Sequence, residues 1–127
     1  MFTWRLLLRI AFRMLNSTQA EPEHRSAINR AYYAALGEAR EYAKMHGLSM
    51  VSQRSSHEQV WQYLRAGKSS SHIGHRAAAK AIGDMGITLR SLRVQADYFI
   101  NQPPTEEDAK RSVSMAEQII RRIHSLP

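Results

Sequence analysis

The chain has 127 residues, with 18 Lys and Arg against 11 Asp and Glu, a formal net charge of +7 and no cysteine. Its length suits one domain around one core, and the lack of cysteine excludes disulfides, thiolate metal sites and cysteine nucleophiles, in keeping with an expected cytoplasmic location. The positive balance favours a polyanionic partner such as nucleic acid.

Residues 1–15, MFTWRLLLRIAFRML, contain no acid, and Arg5, Arg9 and Arg13 recur every four positions. The apolar run Leu6-Leu7-Leu8 is too short for a secretory core or a membrane span. Trp4, Leu7, Leu8, Ala11, Met14 and Leu15 keep helical spacing opposite the arginines, so the segment reads as a first bundle helix with a basic outer stripe. A membrane-surface helix is the alternative.

After Asn16 and Ser17, Glu21-Pro22-Glu23 opens a second helix, with Pro in the first turn and acids at the positive end of the dipole. It is predicted over 22–45 and should stop at Gly47 in a left-handed cap. Ile28, Tyr32, Ala35, Ala39 and Tyr42 mark its inward face, with alanines that let a neighbour approach closely. Residues 48–54 read as a loop. Ser56-His57-Glu58-Gln59 has capping-box spacing ahead of Val60, Trp61 and Leu64, in a short helix ended by Gly67. Residues 68–71 form a polar linker.

From His72 the apolar positions Ile73, Ala77, Ala81, Met85, Leu89, Leu92, Ala96 and Phe99 hold one helical register to about Asn101. Gly83 and Gly86 interrupt it, which predicts a kink or a close helix contact. Thr105 is placed as N-cap of a last helix with Glu106, Glu107 and Asp108 in its first turn and Arg121 and Arg122 near its end. Ala109, Val113, Ala116, Ile120 and Ile123 face inward. The expected fold is all-α: a single domain over 1–127, an up-and-down antiparallel bundle of about five helices.

Positive charge collects on the first helix and over 54–76. If the first helix shared a face with Arg65, Lys68 and Arg76, the two would make one phosphate-attracting surface; otherwise these are solvated faces. No Gly-rich phosphate loop, RNA-binding aromatic strand or helix-turn-helix pattern accompanies the charge. His72 and His75 stand one helical turn apart without a matching carboxylate, and read as an ordinary exposed pair rather than metal ligands.

Two segments carry more chemistry than a helix core needs: Arg30-Ala-Tyr-Tyr-Ala-Ala-Leu36 and Arg93-Val-Gln-Ala-Asp-Tyr98. Guanidinium, phenol and carboxylate groups brought together between helices suit a phosphate or nucleic-acid site. The bland reading is that Tyr32 and Tyr33 are core aromatics and Arg93–Asp97 a surface pair worth about 0.3–0.5 kcal/mol.

The segment from Arg25 to Leu36, His57 opening a short helix, and Leu89 to Tyr98 together resemble, in order and spacing, the three landmarks of the HEPN superfamily. The likeness is narrower still to its small stand-alone bacterial branch with Arg-Ala-Tyr-Tyr-Ala and Arg-x-x-Ala-Asp-Tyr helices. It covers roughly residues 20–125. It implies an up-and-down helical bundle that dimerises through its functional helices, acting on RNA or a nucleotide with no cofactor and no metal. Many members are endoribonucleases, or their partners, in toxin–antitoxin and antiphage systems, so a cognate antitoxin or defence-complex protein is a further implied partner.

The ribonuclease members carry an Arg followed about a turn later by His. Here Arg93 takes the Arg place, and Asp97-Tyr98 stand where the His is expected. Arg40…His46 and Arg65…His72 match by count only. The implied roles are Arg93 as phosphate clamp, Asp97 as an orienting carboxylate, and Tyr98 or His57 as acid/base group. Arg30, Tyr33 and Arg90 would bind the RNA. Cleavage through the ribose 2′-hydroxyl would leave a cyclic phosphate. The alternatives are a non-catalytic module binding RNA, a nucleotide or a protein, and a structural adaptor.

Overall fold

Small residues on α2 decide how the bundle is assembled. Ala27, Ala31, Ala34, Ala35, Ala39 and Ala43 are fully buried along this helix, so its axis can be approached closely from several sides. α2 (Glu21–Met45) accordingly packs against all four other helices: α1 (Trp4–Ser17), α3 (Ser56–Arg65), α4 (Ile73–Tyr98) and α5 (Glu106–His124). The computed structural model describes residues 3–17, 21–48, 56–67, 73–98, 101 and 103–127, and among them there is no strand.

α1 lies on one flank of α2 and α3 on the other, with α5 and α4 packed against each other between them. Trp4 rests on Gly37 and donates from Nε1 to Glu41 Oε1 at 3.0 Å, while Met14 at the other end of α1 meets Arg30, so α1 and α2 are antiparallel. α4 also runs against α2, since Arg25 donates to the Ala96 carbonyl and Arg93 lies over Tyr32. Within this bundle α3 runs the same way as α2, with His57 near Tyr32 and the Tyr63 hydroxyl 2.8 Å from the His46 carbonyl. The core between the flanks is built on Trp61, Tyr32, Leu36, Leu64, Ile82, Leu89 and Ile119, all essentially without solvent contact.

Helix ends follow the local chemistry. Gly47 has φ 106° and Gly67 φ 69°, the left-handed region that glycine enters without penalty. Beyond α2 the Leu48 N–H reaches the Ala43 carbonyl at 2.9 Å and the Gly47 N–H the Lys44 carbonyl at 3.3 Å, a Schellman closure. At α5 the Asp108 N–H donates to Thr105 Oγ1 at 3.1 Å and the Thr105 N–H to Asp108 Oδ2 at 3.0 Å, a reciprocal capping box. Thr105→Ala should therefore lower stability by about 1 kcal/mol, measured by urea denaturation. The box expected at Ser56 and Gln59 is not closed, because Gln59 Oε1 is buried without a hydrogen-bond partner. Ser56 is already the first helical residue.

The inward faces expected for α2 and α5 are the buried ones. That of α4 is rotated from the expected stripe: Ala77 is exposed, and the buried positions are Ala79, Ile82, Gly83, Gly86, Leu89 and Ala96. The cause is the pair of glycines. A Cβ at Gly86 would lie 2.1 Å from Trp61 Cε3, and one at Gly83 would lie 2.7 Å from the Trp61 carbonyl oxygen. Trp61 and the α3 backbone occupy the space of the missing side chains, so α4 continues through both glycines as one helix in close contact with α3. It is described as far as Tyr98; Phe99 and Ile100, which the expected helix included, lie outside the described residues, as do His72 and the linker 68–71.

The α1 arginines and the 65–76 region are not packed together among the described residues: the α1 backbone makes no close approach to α3 or α4, Arg65 is engaged by Asp84 at 2.8 Å, and Lys68 lies outside the described residues. Arg5, Arg9 and Arg13 are exposed on α1, as the periodicity predicts. No helix among the described residues is long and apolar enough to cross a membrane.

Candidate functional site

Three helices bring polar groups together beside the core aromatics. Tyr33 and Arg40 stand two turns apart on α2 and therefore share a face. Arg90, Arg93 and Asp97 follow one another along a face of α4 in the same way. His57 enters from the first turn of α3, held at the junction by Trp61 below it.

The order of donors fixes His57. Trp61 Nε1–H donates to the Tyr32 hydroxyl at 3.1 Å, and that hydroxyl lies 3.2 Å from His57 Nδ1. Tyr32 is fully buried, so its own proton needs an acceptor, and Nδ1 supplies one. The relay Trp61→Tyr32→His57 leaves the neutral imidazole with its proton on Nε2. Burial, opposed by the Trp61 hydrogen bond and by the charges of Arg90 and Arg93, raises the Tyr32 phenol above its ordinary pKa and keeps it protonated. Burial also pushes His57 below the usual histidine range, and the guanidinium groups of Arg93, Arg40 and Arg90 add to the shift. His57 is thus a neutral N–H donor facing three cations.

Those cations are poorly neutralised. Arg93 Nε is 2.9 Å from Asp97 Oδ2, with only 14% of the Arg93 side chain exposed. Its N–H is not directed at the carboxylate, so the contact is an ion pair rather than an aligned hydrogen bond. The Arg93 guanidinium also lies 5.3 Å from the centroid of the Tyr33 ring, 5.8 Å from Tyr32 and 6.0 Å from Tyr98, within cation–π range. Arg40 and Arg90 make no ion pair among the described residues, and the Nε of each is buried without a partner. Guanidinium N–H groups without a protein acceptor are donors available to an anion.

Most of the residues expected at the site are brought together: Arg93, Asp97, His57, Tyr33 and Arg90. Two fall differently. Arg30 does not join the arginines around His57; it donates to Met14 Sδ at 3.1 Å and lines an open cleft on the other side of Tyr33. That cleft, about 470 Å³, is bounded by Leu7, Arg25, Ser26, Asn29, Arg30, Tyr33 and Asp97. Tyr98 is 68% exposed, and its hydroxyl makes no hydrogen bond among the described residues. It flanks Arg93 without being fixed. Among the described residues no three His or carboxylate side chains are grouped closely enough to hold a metal ion.

Arg40 and Tyr32 are the members sequence reasoning missed. Arg40 was legible in its seven-residue offset from Tyr33, which puts the two on one face. The part of Tyr32 in orienting His57 had no signal in the sequence, because it depends on where Trp61 lands. Compared with protein-family models, curated proteins and solved structures, the chain matches none.

Proposed function

We propose that this protein acts on RNA as a HEPN-like module, binding a backbone phosphate among Arg40, Arg90 and Arg93, in a defence or toxin–antitoxin setting. The observation that carries the reading is the arginine cluster around a neutral, N–H-presenting His57, with Arg40 and Arg90 unpaired among the described residues and Arg93 paired with Asp97, in a wall of tyrosines. Phosphate oxygens accept what these groups can only donate, and tyrosine faces suit unpaired bases. The net charge of +7 supports a polyanionic partner. A large aromatic side chain, Tyr98, stands exposed beside the cluster, which fits two copies meeting at this face.

In the catalytic form of the reading, the 2′-oxygen attacks phosphorus, the bond to the 5′-oxygen breaks, and a cyclic phosphate and a 5′-hydroxyl result. The arginines stabilise the charge gathering on the phosphoryl oxygens. His57, having taken up a proton beside the bound phosphate, protonates the leaving 5′-oxygen from Nε2 and returns to the neutral imidazole, while the 2′-hydroxyl proton passes to solvent. One observation favours binding without cleavage. Asp97, the carboxylate paired with Arg93, has its Oδ2 taken by that ion pair and by Asn29 Nδ2 at 3.3 Å, so only Oδ1 is left to act on the 2′-hydroxyl.

The test is retention and cleavage of single-stranded RNA by wild type and by Arg93→Ala. Wild type should bind with a strong salt dependence, and Arg93→Ala should weaken binding by about tenfold or more, since hydrogen bonds to charged groups contribute about 1.5–3 kcal/mol. A 2′,3′-cyclic phosphate end on the product would establish cleavage; intact RNA with the same binding difference would establish a binding module. Equal RNA retention by the two proteins would sink both.

A further inference from the structure

The cleft beside the arginine cluster has a donor and acceptor layout of its own. Asp97 joins the two places: Oδ2 faces Arg93 and Asn29, and Oδ1 is left without a hydrogen bond among the described residues. Asn29 uses its amide nitrogen on Asp97, so its carbonyl oxygen is the free end. Next to Asn29 on α2 stands Arg30, whose only partner among the described residues is a thioether sulfur, a weak acceptor that leaves the guanidinium charge almost intact. Tyr33 and Leu7 supply apolar wall. The lining therefore combines the Asp97 and Asn29 oxygens, the Arg30 guanidinium and the Tyr33 ring, together with Arg25, which donates to the Ala96 carbonyl.

We infer that this cleft is a nucleobase pocket selective for guanine, adjoining the phosphate site. The inference rests on the reading of Arg40, Arg90 and Arg93 as that phosphate site. Guanine alone among the four bases carries two adjacent donors, N1–H and N2–H₂, on one edge and two adjacent acceptors, O6 and N7, on another. The first pair matches the Asp97 and Asn29 oxygens; the second matches a guanidinium, the commonest specific partner of guanine. Adenine turned the same way would set its amino group against Arg30 and a lone pair against the Asp97 carboxylate. Uracil and cytosine would each bring a carbonyl oxygen or lone pair to the acidic side. Such mismatches leave buried polar groups unpaired, which is where discrimination comes from. Tyr33 serves both places, since its ring lines the cleft and lies 5.3 Å from the Arg93 guanidinium, so a base stacked there would have its phosphate within reach of the arginines.

The full chain should be titrated calorimetrically with the 5′-monophosphates of guanosine, adenosine, cytidine and uridine, and with inorganic phosphate. The guanosine nucleotide should bind at least about tenfold more tightly than the others, the ratio one well-placed bidentate contact provides. In Asp97→Asn and, separately, Arg30→Met, each checked for helical content, that ratio should fall to about twofold. Four nucleotides that bind alike and no better than inorganic phosphate would overturn the guanine pocket and leave the arginine site standing. A preference for another base, or a guanine preference untouched by both substitutions, would also overturn it. Failure of every nucleotide and of inorganic phosphate to bind would remove the phosphate reading together with the pocket.

Discussion

Gly86→Ala should cost this protein about 3 kcal/mol of stability, the upper part of the range for overpacking a filled core. The new Cβ would meet three Trp61 ring atoms at 2.1, 2.2 and 2.5 Å, and no rotamer choice exists for a methyl group. Trp61 cannot step aside cheaply. Its ring is fully buried, and its Nε1 is committed to the Tyr32 hydroxyl. The helix propensity gained by replacing glycine is about 1 kcal/mol, too little to offset the clash. Gly74 lies on the same helix and a Cβ there meets nothing within 4 Å, so Gly74→Ala should leave stability the same or slightly higher. Chemical denaturation of the two variants beside wild type decides the matter. Equal midpoints for Gly86→Ala and wild type would mean that α3 and α4 do not pack in this way. Because the displaced tryptophan is also the first donor of the relay to His57, the variant should shift the His57 imidazole resonances as well.

The same contact shows what could and could not be read along the chain. Gly47, Gly67 and Thr105 announce helix ends because their chemistry is local: a left-handed φ, or a side chain within three residues of the groups it caps. The buried faces of α2 and α5 repeat apolar residues at helical spacing, and the structure buries those residues. α4 defeats the same count. Its closest contact is made by two residues without side chains, and a tally of apolar side chains rotates the helix toward Ala77 and Ala81. Nothing local reveals that Gly83 and Gly86 are the seat of Trp61, since Trp61 belongs to another helix.

The site divides along the same line. Arg93 with Asp97, and Arg40 with Tyr33, are intrahelical relations that spacing exposes. Arg30 stands one turn before Tyr33 and lines the cleft with it, yet its guanidinium goes to Met14 and not to the arginines about His57. Proximity in sequence was the misleading cue there. The dependence of His57 on Tyr32 and Trp61 exists only in three dimensions, and so does the gathering of Arg40, Arg90 and Arg93 about it.

RNA affinity should rise as pH is lowered through the histidine range, by as much as about tenfold per pH unit, because binding takes up a proton at His57. In the free protein burial holds the imidazole below its ordinary pKa, and Arg93, Arg40 and Arg90 hold it lower still. A phosphate seated among the guanidinium groups reverses the electrostatic part of that shift: it offsets the repelling charges and adds an attracting one. The bound-state pKa then lies above the free-state pKa. Between the two values the complex carries one more proton than its parts, and affinity climbs as pH falls; above both it is flat, and below both it is flat again. A phosphodiester has no titration of its own in this range, so the slope belongs to the protein. His57→Gln keeps a side-chain N–H donor and cannot titrate, and it should flatten the profile while His46, His75 and His124 remain in place. RNA affinity measured at fixed ionic strength across pH 5–8 reads the slope directly. The same slope in wild type and His57→Gln would place the proton on another histidine and break the link between the arginine cluster and His57 on which the proposed function depends.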